Sequence, residues 1–158
     1  MSKDIKNHNK ISYLRADVLD VIELGNEGKA ILLFTVNEWE DQVLPMIIDA
    51  SAAFSIRKAL LNIPFPRPLT HDLIMNILER LDVSIEKITI DAMINGMYLA
   101  TIVLKDNRTG ELIHVDSRPS DAAAIAVRSG APIYIAEHLR KYAEPASLYL
   151  RLLGNRRT

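Results

Sequence analysis

The sequence predicts a single α+β domain, in which largely antiparallel or mixed β-sheets pack against about four helices. The chain has 158 residues, which is the size of one soluble domain, and 49% of them are hydrophobic. Segments with the composition of strands occur at the start of the chain and again after residue 82, with helical patterns between them. Such grouping favours an α+β fold over a doubly wound parallel sheet, in which strands and helices alternate.

Composition and charge exclude several classes of protein. The 19 Lys and Arg residues against 20 Asp and Glu residues give a formal charge of −1. A bulk basic binder of nucleic acid is therefore excluded, and any contact with nucleic acid must come from a local patch or a metal ion. The chain has no cysteine, which excludes a disulfide framework, a thiolate metal site and a cysteine nucleophile.

The polarity of the chain predicts its organisation and location. We expect residues 1–10 to be a flexible polar tail, residues 11–153 to form the one domain, and residues 154–158 to be a basic tail. No apolar run reaches the ~18–20 residues that span a bilayer, and the N-terminus lacks the apolar core of a signal peptide. These features predict a cytoplasmic protein with no membrane partner.

The first third of the chain predicts three strands. Residues 17–24 and 30–36 are rich in apolar side chains, and the turn cluster at 25–28 separates them. Residues 43–48 form the third strand. Pro45 in this strand cannot donate a hydrogen bond to a neighbour, so we place it at a sheet edge or at the start of the strand.

Two helices follow, each recognised by apolar residues at helical spacing. The first helix has Asp49 or Ser51 as its predicted N-cap. Its apolar face is formed by Ala52, Ala53, Ile56, Leu60 and Ile63. The prolines within residues 64–68 end it. The second has Thr70 as its predicted N-cap, and its apolar positions are Leu73, Ile74, Ile77, Leu78 and Leu81.

The second half of the chain predicts a three-stranded meander and a buried helix. The strands are expected at residues 88–92, 97–104 and 112–116, and Asn95-Gly96 is a strong hairpin signal. An alanine-rich helix, apolar almost all round, begins at Pro119 and ends at Gly130. A strand at 133–135 and helical structure from 137 to 153, broken at Pro145, complete the prediction.

Two segments with the same local design carry the candidate chemistry. Residues 67–72 (Arg-Pro-Leu-Thr-His-Asp) and 116–121 (Asp-Ser-Arg-Pro-Ser-Asp) each place an Arg-Pro step before a helix and an Asp in its first turn. Proline favours helix entry, and the Asp meets the positive end of the helix dipole. The arginine of each segment is then expected to pair with the Asp of the same segment.

If the two segments meet in space, their side chains suit metal-assisted phosphodiester hydrolysis. We predict His71, Asp72, Asp116 and Asp121 as catalytic residues and Arg67 and Arg118 as the phosphate-binding residues. The three aspartates are the candidate ligands of Mg²⁺ or Mn²⁺, since these hard cations prefer oxygen. Ser117 and Ser120 lack a convincing Ser/His/Asp arrangement, and His114 is interpreted as a packed or exposed strand residue.

Four ordered motifs resemble the bifunctional nuclease domain family, and the resemblance covers about residues 15–140. The motifs are residues 44–48 (Leu-Pro-Met-Ile-Ile), 67–73, 96–100 (Gly-Met-Tyr-Leu-Ala) and 116–122. The family takes its name from plant members credited with DNase and RNase activity. The resemblance implies an α+β fold, a cytoplasmic bacterial protein and a homo-oligomer, most simply a homodimer, with nucleic acid as the substrate.

Two other functions remain open at the level of sequence. In one, the chain is a non-catalytic oligomeric module, in which the Arg–Asp pairs are structural locks between helices and sheet. In the other, it is a regulator that binds nucleic acid without cleaving it.

Overall fold

The computed structural model describes residues 10–25 and 27–154. Within them, eight strands form one mixed sheet that packs against helices in the predicted α+β arrangement. The strands are β1 (Tyr13–Glu23), β2 (Lys29–Val36), β3 (Gln42–Asp49), β4 (Val83–Ile94), β5 (Met97–Asp106), β6 (Leu112–Ser117), β7 (Ile133–Ala136) and β8 (Glu144–Pro145). The α-helices are α1 (Ala50–Leu60), α2 (Thr70–Arg80), α3 (Pro119–Ser129) and α4 (Ser147–Gly154), and a 3₁₀ helix spans Glu137–Tyr142.

The strand order in the sheet is β6-β5-β4-β7-β1-β2-β3-β8. β4 and β7 pair in parallel, and the other neighbours pair antiparallel. The predicted meander is confirmed as β4, β5 and β6. β8 pairs only with Gln42 and Val43, so Pro45 has no strand on its outer side in the described part of the sheet. Its predicted edge position is confirmed.

The alanine-rich helix α3 is the centre of the helical layer. It contacts α1, α2, β4 and β5, and its residues Ala122, Ala123 and Ala124 are fully buried. The predicted burial of this helix is therefore confirmed. Its small side chains let the backbones of these elements approach closely. Gly130 ends α3 with φ of +72°, a left-handed conformation that glycine adopts without strain.

Helix α4 covers part of the opposite face of the sheet. Ile22, Leu33 and Val43 form a second apolar cluster there, against Tyr149 and Leu153 of α4. The sheet is therefore covered on both faces at β1, β2 and β3.

Several element ends differ from the predictions, among them the start of β4, which lies at Val83 rather than residue 88. β1 begins at Tyr13 rather than residue 17, because Tyr13–Ala16 pair with β7, a partner more than a hundred residues away. α1 ends at Leu60, and Asn62 then adopts φ of +50°, so Ile63 lies beyond the helix and is exposed. The N-cap of α2 is Leu69 rather than Thr70; the Asp72 carboxylate accepts a hydrogen bond from the Leu69 N–H.

Helix α2 exposes most of its apolar positions. Leu73, Ile74 and Ile77 are exposed, as is Leu81 just beyond the helix, while His71 is the buried residue of α2. The helix contacts α3 and β4, and its first turn is joined to α3 by the hydrogen bonds of His71 and Asp72.

The predicted tails fall largely outside the described residues. Residues 1–9 of the N-terminal tail and 155–158 of the C-terminal tail are not part of the description, and Gly154 is the last residue of α4. Among the helices that are described, none has the length and hydrophobicity needed to cross a membrane.

Candidate active site at the start of helices α2 and α3

The two Arg-Pro segments meet where α2 and α3 begin. His71, in the first turn of α2, places its Nε2 2.9 Å from Oδ1 of Asp121, in the first turn of α3. The fold therefore brings together two groups that stand fifty residues apart in the chain. This hydrogen bond shows that the two segments meet in space, which was the condition for a shared site and could not be read from the sequence.

Asp121 is held from two sides. Its Oδ1 contacts the buried His71, and its Oδ2 accepts a hydrogen bond from Nε of Arg118 at 3.2 Å. The pairing of Arg118 with the Asp of its own segment was predicted and is observed. The carboxylate is 35% exposed, so it is both positioned and accessible.

Arg118 continues the network outward to β3. Its Nη1 lies 3.6 Å from Oδ2 of Asp49, and Oδ1 of Asp49 accepts a hydrogen bond from Nζ of Lys29 at 2.8 Å. The hydrogen bond and charge of Lys29 lower the pKa of Asp49, and the charge of Arg118 adds to the effect. One carboxylate thus holds two exposed cations side by side.

The second Arg–Asp pair differs from the predicted one. Asp72 pairs with Arg128, whose Nε donates to Oδ1 at 2.7 Å, and not with Arg67. Arg67 is exposed, and its side chain makes no hydrogen bond or ion pair with another described residue. The hydrogen bond from Arg128 lowers the pKa of Asp72, against the opposing effect of burial. The pairing predicted for Arg67 was wrong, because Arg128 of α3 is the arginine that binds the Asp72 carboxylate.

Ser55 on α1 is a site residue that sequence reasoning missed. It is buried, and its Oγ lies 2.7 Å from Nδ1 of His71. Nη2 of Arg128 donates to the same Oγ at 3.0 Å. Ser55, His71 and Asp121 are joined in a Ser–His–Asp chain of hydrogen bonds. The serine is not placed as a nucleophile, because its buried hydroxyl accepts from a guanidinium and does not face a cleft. A polar residue on the apolar face of α1 was the available signal, since a buried hydroxyl needs a partner.

The network opens into a cleft of about 1150 Å³. Residues of β3 line one side of the cleft, and residues of β5, β6 and the start of α3 line the other. Although four strands separate them in the order of the sheet, β3 and β5 line the same cleft. Its charged lining residues are Lys29, Asp49, Asp116, Arg118, Asp121 and Glu144.

Asp116 belongs to this cleft and Asp72 does not. Asp116 lies at the end of β6 and is exposed, with no hydrogen bond or ion pair from its side chain to another described residue. Asp72 lines a separate pocket of about 420 Å³ beside Arg128. In the described part of the chain, no three His, Asp or Glu side chains are grouped as a metal site. The predicted three-aspartate set is therefore not assembled.

Comparison with known proteins identifies the family of the chain. Residues 31–146 match the family model described as the bifunctional nuclease domain. An uncharacterized protein of Mycobacterium tuberculosis (strain ATCC 25618 / H37Rv) is 38% identical over 97 residues, which are 61% of this chain and 56% of that protein.

Plant relatives carry a functional name. "Bifunctional nuclease 1" of Oryza sativa subsp. japonica is 29% identical over 105 residues, 66% of this chain and 32% of that protein. "Bifunctional nuclease 1" of Arabidopsis thaliana is 26% identical over 98 residues, 61% of this chain and 30% of that protein. The chain spans about half the length of the mycobacterial relative and about a third of the plant ones. With its four motifs, its fold and the family match over most of its length, the chain belongs to the bifunctional nuclease domain family.

Proposed function

We propose that this protein hydrolyses phosphodiester bonds of DNA and RNA in the cleft at the start of α3. The observation that carries the proposal is the pair formed by Arg118 and Asp121 at the cleft. Asp121 is fixed by His71 and Arg118. The side chains of Arg118 and Asp121 remain accessible. A guanidinium is suited to binding a phosphate and to stabilising its developing charge, and a positioned carboxylate stands beside it here. The names of the plant relatives agree with it.

Three exposed charged groups of the cleft, Arg118, Lys29 and Asp116, act on the substrate in the proposal. Arg118 and Lys29 bind the phosphate, since both are exposed and fixed by Asp49. Asp116 accepts the proton of the attacking water, because its carboxylate has no partner among the described residues. His71 is buried and engaged at both ring nitrogens, so its role is to hold Asp121 rather than to transfer a proton as the sequence predicted.

Divalent dependence remains part of the proposal, with a smaller ligand set. Mg²⁺ is typically bound by one or two carboxylates together with substrate phosphates. Asp116 and Asp121 would hold it, and it would neutralise charge on the phosphate. The cleft has four acidic and two basic lining side chains, so a polyanion needs such a cation to enter.

The test is cleavage of labelled single-stranded and duplex DNA and RNA by the purified full chain. We expect cleavage with Mg²⁺ or Mn²⁺, its loss on chelation, and a loss of at least about 100-fold in kcat for Asp116→Asn and Asp121→Asn, since each is placed at the reacting phosphate. Asp17→Asn is the matched control, because Asp17 is exposed on β1 away from the cleft.

A second pair of variants separates phosphate binding from general charge effects. Arg118→Gln should raise KM, whereas Arg108→Gln should not; the two side chains are equally exposed, at 69% and 68%. Folded Asp121→Asn protein that cleaves as fast as the wild type would show that the activity comes from elsewhere.

One observation favours a second function, a non-catalytic module. Arg128 has a side chain only 9% exposed and links α3 to Asp72 on α2 and Ser55 on α1, which is what a structural lock requires. Under this alternative, no substrate is cleaved with any metal. A loss of stability in Asp72→Ala is expected under both functions, so cleavage alone separates them.

A further inference from the structure

We propose that Ser55 and Arg128 are positioning residues that direct the His71 imidazole, so that its one ring proton lies on Nε2 and is donated to Asp121. The proposal concerns hydrogen-bond direction, which follows from the donors and acceptors around one buried hydroxyl. It concerns the same site as the proposed function, and the effect of Ser55 and Arg128 on turnover rests on that function.

The direction is set first by Arg128, which can only donate. A guanidinium remains protonated in proteins and has no acceptor atom. Its Nε donates to Asp72, its Nη1 to the Ala124 carbonyl at 3.1 Å, and its Nη2 to the Ser55 carbonyl at 3.3 Å and to Ser55 Oγ at 3.0 Å. The guanidinium is therefore held by three separate residues and cannot turn away from Ser55.

The Ser55 hydroxyl passes this direction to His71. A hydroxyl has one proton to donate, and here its oxygen already accepts from Arg128. Among the described residues, the other partner of this hydroxyl is Nδ1 of His71 at 2.7 Å. Since Arg128 offers no acceptor, Nδ1 is the one atom that can receive the hydroxyl proton, and a buried hydroxyl proton needs such an acceptor.

An imidazole that accepts at Nδ1 carries its proton on Nε2. Nε2 lies 2.9 Å from Oδ1 of Asp121, and an ionised carboxylate only accepts. Both ends of the ring therefore require the same tautomer. The opposite tautomer would set an unprotonated nitrogen against a carboxylate and leave the Ser55 proton without its acceptor.

The consequence for the cleft lies at Asp121. One carboxylate oxygen receives the Nε2 proton and the other receives the Arg118 Nε proton. Both oxygens are oriented by donors on the protein, so the carboxylate presents a fixed edge to the cleft. Positioning partners of this kind typically change activity by about 10- to 100-fold when they are lost.

The test is nitrogen NMR of the full chain labelled at histidine, with the His71 signals assigned by their absence in His71→Gln. We expect the ring proton on Nε2, with Nδ1 unprotonated and hydrogen-bonded. In Ser55→Ala the Nδ1 resonance should move toward that of a nitrogen without a donor, and Ser55→Thr should restore it. Ser120→Ala, which removes another equally buried hydroxyl, is the control and should leave the His71 resonances in place.

A proton found on Nδ1 in the wild type, or an Nδ1 resonance unchanged in Ser55→Ala, would overturn the proposal. The wild-type measurement and the Ser55→Thr variant decide the matter even if Ser55→Ala does not fold. In the cleavage assay, Ser55→Ala should lower kcat about 10- to 100-fold with KM unchanged, and Ser55→Thr should recover it. Correct NMR behaviour without any cleavage by the wild type contradicts the proposed function alone, whereas Asp121-dependent cleavage with the wrong tautomer contradicts the positioning alone.

Discussion

At the scale of single residues, the two similar Arg-Pro segments differ in the ion pairs that their arginines make. Arg118 pairs with the Asp of its own segment and remains accessible in the cleft. Arg67 does not, and its expected place beside Asp72 is taken by Arg128. Spacing along the chain predicted the local pair at the start of α3, because both partners lie within one helical turn. It could not predict Arg128, which reaches Asp72 only because α2 packs on α3.

The pair of Asp72 and Arg128 makes stability depend on pH in a defined direction. The pKa of Asp72 is lowered in the folded protein, chiefly by the hydrogen bond from Arg128. A lowered folded pKa stabilises the protein above the unfolded value of about 4, and the contribution is lost as the pH falls through the folded pKa. We expect the wild type to exceed Asp72→Asn in free energy of unfolding by a constant amount above about pH 5, and by less below about pH 4.

Urea denaturation at several pH values measures this difference. Asp17→Asn is again the control, because Asp17 is exposed and makes no hydrogen bond or ion pair with another described residue. A difference between wild type and Asp72→Asn that persists undiminished into strong acid would contradict the assigned partner.

At the scale of elements, the helical period predicted where α1, α2 and α3 lie but not how deeply each is buried. α3 is apolar on nearly every side, and the structure buries it as such a composition requires. α2 has the clearer stripe of large apolar residues, yet that stripe is exposed. Periodicity shows that a face is apolar, whereas the neighbouring elements decide whether anything covers it.

This difference predicts unequal costs for the same substitution in α1 and α2. Ile56 on α1 is 0% exposed, and Ile77 on α2 is 50% exposed. We expect Ile56→Ala to lower the free energy of unfolding by about 2–5 kcal/mol, because it leaves a cavity. Ile77→Ala should cost less than about 1 kcal/mol, because its side chain is half in water already. Urea denaturation of both variants at low protein concentration is the measurement, and equal losses would contradict the exposed position of the α2 stripe.

At the scale of the whole molecule, the near-neutral charge limits how the protein can hold nucleic acid. The net charge is −1, and Lys29 and Arg118 are the two basic side chains that line the cleft. Two phosphate contacts predict a slope of about −1.4 in the logarithm of affinity for a single strand against the logarithm of salt concentration. Fluorescence anisotropy across a NaCl series, with the inactive Asp116→Asn variant, measures this slope.

The matched arginines test which cation is responsible. Arg118→Gln should reduce the slope to about −0.7, since one phosphate contact is lost, while Arg108→Gln should not change it. A slope steeper than about −4 would mean that basic residues outside the cleft carry the binding.

The cytoplasmic location and the homo-oligomeric state stay predictions from the sequence.

The sequence by itself determined the order of the elements, the α+β class, the buried alanine-rich helix and the motifs that mark the family. These follow from hydrophobic period, turn chemistry and residue identity, which act within a few residues of the chain. It also marked His71, Arg118 and Asp121 as candidates, since each lies in or beside the first turn of a helix. Only the tertiary structure decided that these groups meet, that Ser55 and Arg128 complete their network, and that Asp72 lies apart from Asp116. The physical reason is that hydrogen-bond partners are chosen by the packing of α1, α2 and α3 against one another, and this packing joins residues 55, 71, 121 and 128 across distances in the chain that no local pattern encodes.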